Sequence, residues 1–147
     1  MSNDSEFRTC PDTGLRIHLP AEKLMKANAV AAVVFLLIGG IFGLAVALTR
    51  WPAVHLLPAE WFYIALTAHG TDVLIVWIIF FEMAVLYFTS TVLLNSRMAT
   101  PKIGWVAFIL MLVGAVMANV VILDGSSTVM FTSYPPLKAS PFFYLGL

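Results

Sequence analysis

The chain has 147 residues, of which 61% are hydrophobic and 11% are charged, and its formal net charge at pH 7 is zero. This composition is typical of a membrane protein. The net charge of zero lacks the excess of basic residues that is typical of nucleic-acid-binding proteins. Several apolar runs are each long enough to span the hydrocarbon core, which takes about 20 residues. The single cysteine, Cys10, excludes an internal disulfide. We therefore predict an all-α integral membrane protein that binds no nucleic acid.

Residues 1–26 are predicted to form an N-terminal tail followed by the interfacial start of a helix. Leu19-Pro20-Ala21-Glu22 is typical of a helix start, because proline is tolerated at the first helical position and an acid suits the positive dipole end. Residues 27–50 then form the first transmembrane helix, since the apolar run is too long for a cleaved signal peptide. Gly39 and Gly43 are spaced as a small-xxx-small pair, which favours close helix packing or the close approach of a bulky cofactor.

Two more helix starts follow along the chain. Pro58-Ala59-Glu60 repeats the first signal and opens a second transmembrane helix over residues 60–95, which is longer than a bilayer requires and should tilt or protrude. Thr100 and Pro101 supply an N-cap and a first-position proline. The third transmembrane helix is therefore predicted over residues 101–123.

The C-terminal part is predicted to be an outer loop, residues 124–140, followed by the truncated start of a fourth transmembrane helix, residues 141–147. Pro135-Pro136 excludes a helix in the loop and favours an extended backbone. Ser140-Pro141 repeats the cap-and-proline signal. A segment of this length cannot span a bilayer. We therefore expect a fragment, or a subunit completed by another chain, with an interfacial anchor over 142–147 as the alternative.

The distribution of basic residues predicts the topology. Arg50 and Lys138 fall on one side, and the other cations lie before the first span or between the second and third: Arg8, Arg16, Lys23, Lys26, Arg97 and Lys102. The positive-inside rule then places the N-terminus in the cytoplasm. His69 would lie near the outer end of the second helix.

Among the residues of the predicted membrane spans, His69 is the strongest candidate for a functional site. A polar group at membrane depth costs several kcal/mol unless it is satisfied, so a neutral imidazole there needs a hydrogen-bond partner or a metal. Iron in a haem is the commonest large apolar partner. Gly70 removes a side chain beside His69, which would let a flat macrocycle lie close to the backbone. On spacing alone, a haem ligand and a satisfied core histidine both remain open.

Two acids in the second helix are candidates for a proton path. Asp72 lies about 60° round a regular helix from His69, so it would interact with the histidine through a water, lie near a haem edge, or bond to a neighbouring helix. Glu82 lies deeper and about 220° round from His69, facing other neighbours. Asn119 needs a partner or lines a polar route. The remaining hydroxyls are expected to bond back to helix carbonyls: Thr67, Thr71, Thr89, Ser90 and Thr91.

Three motifs, in this order, resemble subunit I of the haem–copper oxygen reductases. They are Leu66-Thr67-Ala68-His69-Gly70, Tyr134-Pro135-Pro136-Leu137 and Phe143-Tyr144-Leu145-Gly146. The third motif, together with the short charged connections, is most similar to the B-type, ba3-like branch. The resemblance runs from the first span to the C-terminus.

The resemblance implies that His69 is an axial ligand of a low-spin haem of b or a type, with Gly70 beside it in the binding site. It implies a bundle of about twelve or more helices, of which this chain is the N-terminal portion. The second axial ligand, a high-spin haem and copper would belong to the missing helices, so no catalytic residue lies in this chain and it would be inactive alone.

The resemblance also implies a respiratory role. The whole protein would reduce oxygen to water with electrons from cytochrome c or a similar outer-side donor, and would couple this to proton translocation. Its partners would be the remainder of subunit I and subunit II, in a bacterial or archaeal inner membrane.

Three alternatives stand beside this interpretation. A nitric oxide reductase of the same superfamily shares the low-spin haem histidine and differs near the second metal, outside this sequence. A non-catalytic structural membrane subunit would tolerate asparagine or glutamine in place of His69. A small b-type cytochrome would use His69 from two copies of the chain to ligate one haem.

Overall fold

The computed structural model describes residues 4–129 and 134–147. Residues 1–3 of the predicted tail and 130–133 of the predicted outer loop lie outside them. The elements in chain order are a 3-10 turn, two strands and four helices, with these bounds: Asp4–Glu6, β1 (Phe7–Thr9), β2 (Arg16–His18), α1 (Leu19–Arg50), α2 (Ala59–Leu93), α3 (Pro101–Leu123) and α4 (Pro141–Gly146). Helices α1, α2 and α3 are long and apolar enough to cross a membrane. The predicted membrane-helical fold is confirmed.

The helices begin at the residues that carry the start signals. Pro20 lies in the first turn of α1, and Pro101 and Pro141 open α3 and α4. The Ser140 hydroxyl accepts a hydrogen bond from the Phe142 backbone N–H at 3.3 Å, as expected of an N-cap. Thr100 occupies the N-cap position of α3, but its side chain makes no capping bond. Proline's fixed φ and missing N–H suit a first turn even without that bond.

The N-terminal segment contains an antiparallel hairpin that the sequence pattern does not predict. Phe7 pairs with His18 and Thr9 with Arg16, and the turn is closed by the Cys10 N–H donating to the Leu15 carbonyl at 2.9 Å. Strands of three residues are too short to show a clear alternation of apolar and polar side chains. The predicted tail is therefore partly ordered.

Ion pairs fix this hairpin to the ends of α1 and α2. Arg8 in β1 donates twice to Glu22 in α1, at 2.7 and 2.9 Å, and Lys26 reaches the same carboxylate at 2.7 Å. Glu6 contacts Arg97, beyond the end of α2, at 2.9 Å. Such exposed pairs contribute little to the free energy of folding, and their main effect here is to fix the position of the hairpin. They bring cations from before α1 and after α2 to one end of the bundle.

Helix α2 is not regular along its length. Two π turns interrupt it, at Asp72–Val76 and Thr89–Leu93. In the second, Ser90 and Thr91 donate to carbonyls four residues back, both at 2.6 Å, and Thr89 does the same at 3.0 Å. The prediction that these three hydroxyls bond back to the helix is confirmed. A π turn holds an extra residue that hydropathy does not register, so the sequence does not predict this irregularity.

The core between the three long helices has an aromatic centre. Phe35 of α1 and Phe80 of α2 stack at 5.8 Å with an interplanar angle of 5°, and Phe108 of α3 meets Phe80 edge-on at the same distance. Small residues of α1 and α3 fill the space around them, including Ala32 and Ala115. This packing holds α1 and α3 on either side of α2.

Helix α4 is short but docks on α3 by a backbone contact. A Cβ atom on Gly146 would lie 2.6 Å from the Gly114 carbonyl oxygen, and one on Gly114 would lie 2.8 Å from the Gly146 carbonyl. Phe143 is fully buried beside Ala118 and Ile122 of α3. Tertiary packing therefore supports a helix too short to be stable by itself.

Candidate functional site

His69 projects from α2 toward α1, and one of its ring nitrogens has a defined partner. Nδ1 lies 2.8 Å from the carbonyl oxygen of Gly39. A carbonyl can only accept, so Nδ1 carries the proton and donates it. The neutral ring then keeps a lone pair on Nε2, and no residue in the described ranges bonds to that atom. The imidazole is thus held by Nδ1, and its role as a metal ligand through Nε2 stays a prediction.

The two glycines of the small-xxx-small pair make room for this arrangement. A Cβ atom on Gly43 would lie 2.7 Å from both Cε1 and Nδ1 of His69. A Cβ atom on Gly39 would lie 2.7 Å from Val73 and 3.0 Å from the Cβ atom of Asp72. Gly40, between them, faces open space. The pair therefore serves close helix packing, and the same contact seats the histidine ring against α1.

Gly70 is buried, and His69 is half-buried. Nε2 of His69 is not among the buried atoms that lack a partner in the described residues, so a haem ligand and a core histidine bonded through Nδ1 both fit this geometry. The role of Gly70 beside a cofactor stays a prediction.

Asp72 turns away from His69 and toward α3. Its carboxylate is fully buried, and Oδ1 accepts a hydrogen bond from the Asn119 side-chain amide at 2.8 Å. The same amide nitrogen donates to the Ala115 carbonyl at 3.0 Å. Asp72 is therefore a buried acid bonded to a neighbouring helix, and the partner that Asn119 was expected to need is this carboxylate. This hydrogen bond joins α2 to α3 one turn from the histidine.

Three buried polar atoms in this stretch of α2 have no hydrogen-bond partner in the part of the chain that the structure describes. They are Oδ2 of Asp72 and the hydroxyls of Thr67 and Thr71. The prediction that these two threonines bond back to helix carbonyls is wrong. Back-bonding needs a rotamer that the surrounding packing here does not select. Because an unpaired buried group costs about 1–3 kcal/mol, such atoms are where internal water binds.

A π turn begins three residues after His69. The Asp72 N–H donates to the carbonyls of Ala68 and His69, and the Trp77 N–H donates to Asp72. Segments of this type are frequent at functional sites. No residue pattern in the sequence signals it.

Glu82 lies apart from this cluster. Its side chain is exposed on α2, in a shallow groove with Phe81, Val85 and Leu86. It is about 15 Å along the helix from Asp72, at 1.5 Å per residue. The separation of about 220° from His69 assumes a regular helix, and the intervening π turn changes that rotation, but the two side chains do have different neighbours. The structure does not bring the two acids together.

The three motifs converge at the end of the bundle where His69 lies. Ala68 of the first motif, Leu137 of the second and Phe143 of the third belong to one hydrophobic cluster around Ile122. In the loop, the Leu137 N–H donates to the Tyr134 carbonyl at 2.9 Å, which turns the chain back onto this cluster. Motifs separated by more than sixty residues in the sequence thus pack in one hydrophobic cluster.

Comparisons of the sequence with known proteins identify a family. A family model described as cytochrome C and quinol oxidase polypeptide I matches residues 23–147. Cytochrome c oxidase subunit 1 of Thermus thermophilus is 32% identical over 136 residues, which cover 86% of this chain and 24% of the relative. The chain thus spans about a quarter of that relative's length. No solved structure matches the chain.

Proposed function

This chain belongs to the cytochrome c and quinol oxidase polypeptide I family, and from that premise we propose that it is the N-terminal part of the catalytic subunit of a respiratory terminal oxidase. Its contribution is one axial ligand, His69, to a low-spin haem of b or a type. The observation that carries this proposal is the 2.8 Å hydrogen bond from His69 Nδ1 to Gly39. A second hydrogen bond of this type is the usual companion of a metal-ligating imidazole, because it fixes the tautomer and the ring orientation.

The residues present fit a haem, which His69 would hold through Nε2. When bound, the haem supplies reversible one-electron exchange. By accepting the proton of Nδ1, the Gly39 carbonyl makes Nε2 of His69 a stronger electron-pair donor to a metal and fixes the plane of the ring. The glycine at position 43 lets that ring lie against α1 without strain. Apolar neighbours such as Ile64 and Ala68 pack beside the turn that carries the histidine.

The remainder of the oxidase lies outside this chain. A second axial ligand, a high-spin haem and copper would come from the rest of subunit I, with subunit II and cytochrome c or a similar donor as partners. Oxygen would be reduced to water there with proton translocation. The third motif favours the B-type, ba3-like branch.

The orientation follows from the charges. We place the N-terminus in the cytoplasm of a bacterial or archaeal cell, with α1, α2 and α3 crossing the inner membrane. The support is that cations from before α1 and after α2 meet at one end, through the pairs of Arg8 with Glu22 and of Arg97 with Glu6.

The two acids remain candidates for a proton path, and they differ in their surroundings. Asp72 has one carboxylate oxygen without a partner among the described residues, beside the ligand-bearing turn. Glu82 is exposed on a surface that the rest of the bundle would cover, because an acid facing hydrocarbon is costly. Asp72 is therefore the better placed of the two to exchange a proton near the haem.

Oxygen uptake by the native assembly, driven by reduced cytochrome c, tests the proposal. We expect His69→Ala to abolish uptake and His55→Ala, an exposed loop substitution on the same side, to leave it unchanged. Uptake of nitric oxide in place of oxygen would assign the chain to the nitric oxide reductases. Full activity in His69→Asn and His69→Gln would favour a structural subunit.

A further inference from the structure

A pocket with a cationic wall lies where α1 ends and α2 begins. Its volume is about 470 Å³, and Arg50, Phe62 and Tyr63 contribute to its lining. The Arg50 guanidinium lies 5.5 Å from the centre of the Phe62 ring, a cation–π contact. Among the residues that the structure describes, no acid forms an ion pair with Arg50. The guanidinium therefore offers its N–H donors to an anion from outside these residues.

Hydrogen bonds at Thr49 fix the wall of this pocket. The Thr49 hydroxyl donates to the Ala45 carbonyl at 2.7 Å and accepts a hydrogen bond from the Leu57 N–H at 3.2 Å. Thr49 is buried, although its neighbour Arg50 is exposed. These two bonds tie the end of α1 to the residues just before α2. The backbone that carries Arg50 is thus held in place without a ligand.

The pocket and His69 share one interface between α1 and α2. Gly43 of α1 lies against the His69 ring, and Arg50 of α1 lies against Phe62 of α2. The two contacts are seven residues apart on each helix, which is about 10 Å of rise and within about 20° of the same direction. Helix α2 is regular from Phe62 to His69, since its π turn begins only at Asp72. Arg50 is therefore two turns from His69 along the same helix faces.

The two propionate carboxylates of a haem determine which way its edge would face at this site. Along α2, His69 is about 15 Å from Ala59 at one end and about 36 Å from Leu93 at the other, at 1.5 Å per residue. Carboxylates are costly in hydrocarbon, so that edge would face the nearer end of the helix. This is the end where Arg50 lies. A guanidinium binds a carboxylate through two parallel N–H bonds.

We propose that Arg50 binds a propionate of the haem at His69 and thereby raises the midpoint potential of that haem. The inference rests on the proposed function, since it requires a haem on His69. A cation paired with the propionate offsets negative charge that would otherwise favour ferric over ferrous iron. Unit charges about 10 Å apart, at dielectric constants of about 80 to 20, change such an equilibrium by about two- to tenfold. For a one-electron couple this is about 18–59 mV.

Redox titration of the low-spin haem band in the native assembly measures this potential. We expect Arg50→Gln to lower it by the amount above and Arg50→Lys, which keeps the charge, to restore most of the loss. Lys138→Gln is the matched control, because it removes an exposed cation that does not line the pocket. Equal shifts in Arg50→Gln and Lys138→Gln, or none in Arg50→Gln, would overturn this inference and leave the proposed function intact. A wild type without the low-spin band would overturn both.

Resonance Raman spectroscopy of the same samples identifies the anion. The bending vibration of a haem propionate depends on the hydrogen bonds that its carboxylate accepts. We expect this vibration to shift in Arg50→Gln and to return in part in Arg50→Lys. An unchanged vibration in Arg50→Gln would refute the assignment. Loss of a bound phospholipid from that variant, with the vibration unchanged, would identify a lipid phosphate as the anion in its place.

Discussion

Replacing Gly43 by alanine is the most informative single change at the histidine site. The added Cβ atom would lie 2.7 Å from Cε1 and Nδ1 of His69, whereas ordinary contact begins at 3.4 Å. The ring has to move by about 0.7 Å, and a shift directly away from the Gly39 oxygen would lengthen the 2.8 Å bond to about 3.5 Å. At that distance the hydrogen bond is essentially lost.

The energetic cost of Gly43→Ala has two parts. Overpacking a tight contact costs about 1–3 kcal/mol, and losing the hydrogen bond costs about 1 kcal/mol more. If His69 ligates a metal, losing its orienting partner also weakens metal binding by about 10–100-fold. We therefore expect a lower thermal unfolding midpoint and loss of haem during purification of the assembly.

Gly40→Ala is the matched control for this experiment. It lies three residues away on the same helix, and a Cβ atom there meets nothing within 4 Å. The substitution should be neutral or slightly stabilising, because alanine restricts the unfolded chain more than glycine does. If Gly43→Ala matches Gly40→Ala in both unfolding midpoint and haem content, then the imidazole of His69 does not pack closely against Gly43.

Three further predictions concern other parts of the chain. The Asp72–Asn119 hydrogen bond should give a coupling free energy of about 0.5–3 kcal/mol in a double-mutant cycle of alanine variants. The stability of each variant is measured by thermal unfolding. Gly146→Ala places a Cβ atom 2.6 Å from an α3 carbonyl, so the packing of α4 on α3 should weaken and the thermal unfolding midpoint should fall. The Thr13 hydroxyl helps to lower the pKa of Cys10 to about 7, so Thr13→Ala should move the midpoint of thiol alkylation to higher pH.

Each of these has a result that would contradict it. Strictly additive alanine effects would mean that the Asp72 and Asn119 side chains do not interact. Leu145→Ala, at a position 72% exposed, is the control for α4, and equal unfolding midpoints in both variants would exclude a specific glycine contact. For the thiol, alkylation rises with pH because the thiolate reacts, and an unchanged midpoint in the variant would remove Thr13 as the cause.

The sequence predicts the parts of this fold that depend on local composition. Hydropathy marks three helices, since a span needs only about 20 apolar residues whatever their neighbours. Proline marks the first turns of α1, α3 and α4, because its backbone restrictions are intrinsic to the residue. The histidine stands out for the same reason, as an imidazole in an apolar run.

Features that depend on contacts between helices could not be predicted in this way. The π turn at Asp72–Val76 depends on how α2 packs, and the direction of Asp72 toward Asn119 depends on which helix lies nearby. The unpaired hydroxyls of Thr67 and Thr71 reflect rotamers chosen by packing. The hairpin could not be predicted because it is held by ion pairs to residues distant in the sequence, such as Glu22.

A reduced-minus-oxidised visible spectrum of the purified native assembly tests the central claim most directly. His69→Ala removes the proposed axial ligand, and His55→Ala removes an exposed histidine from the loop before α2. We predict that the sharp low-spin haem band is lost in His69→Ala while the assembly still forms, and that it persists in His55→Ala. An unchanged band in His69→Ala, in an assembly of normal subunit content, would contradict the assignment of this histidine as a haem ligand.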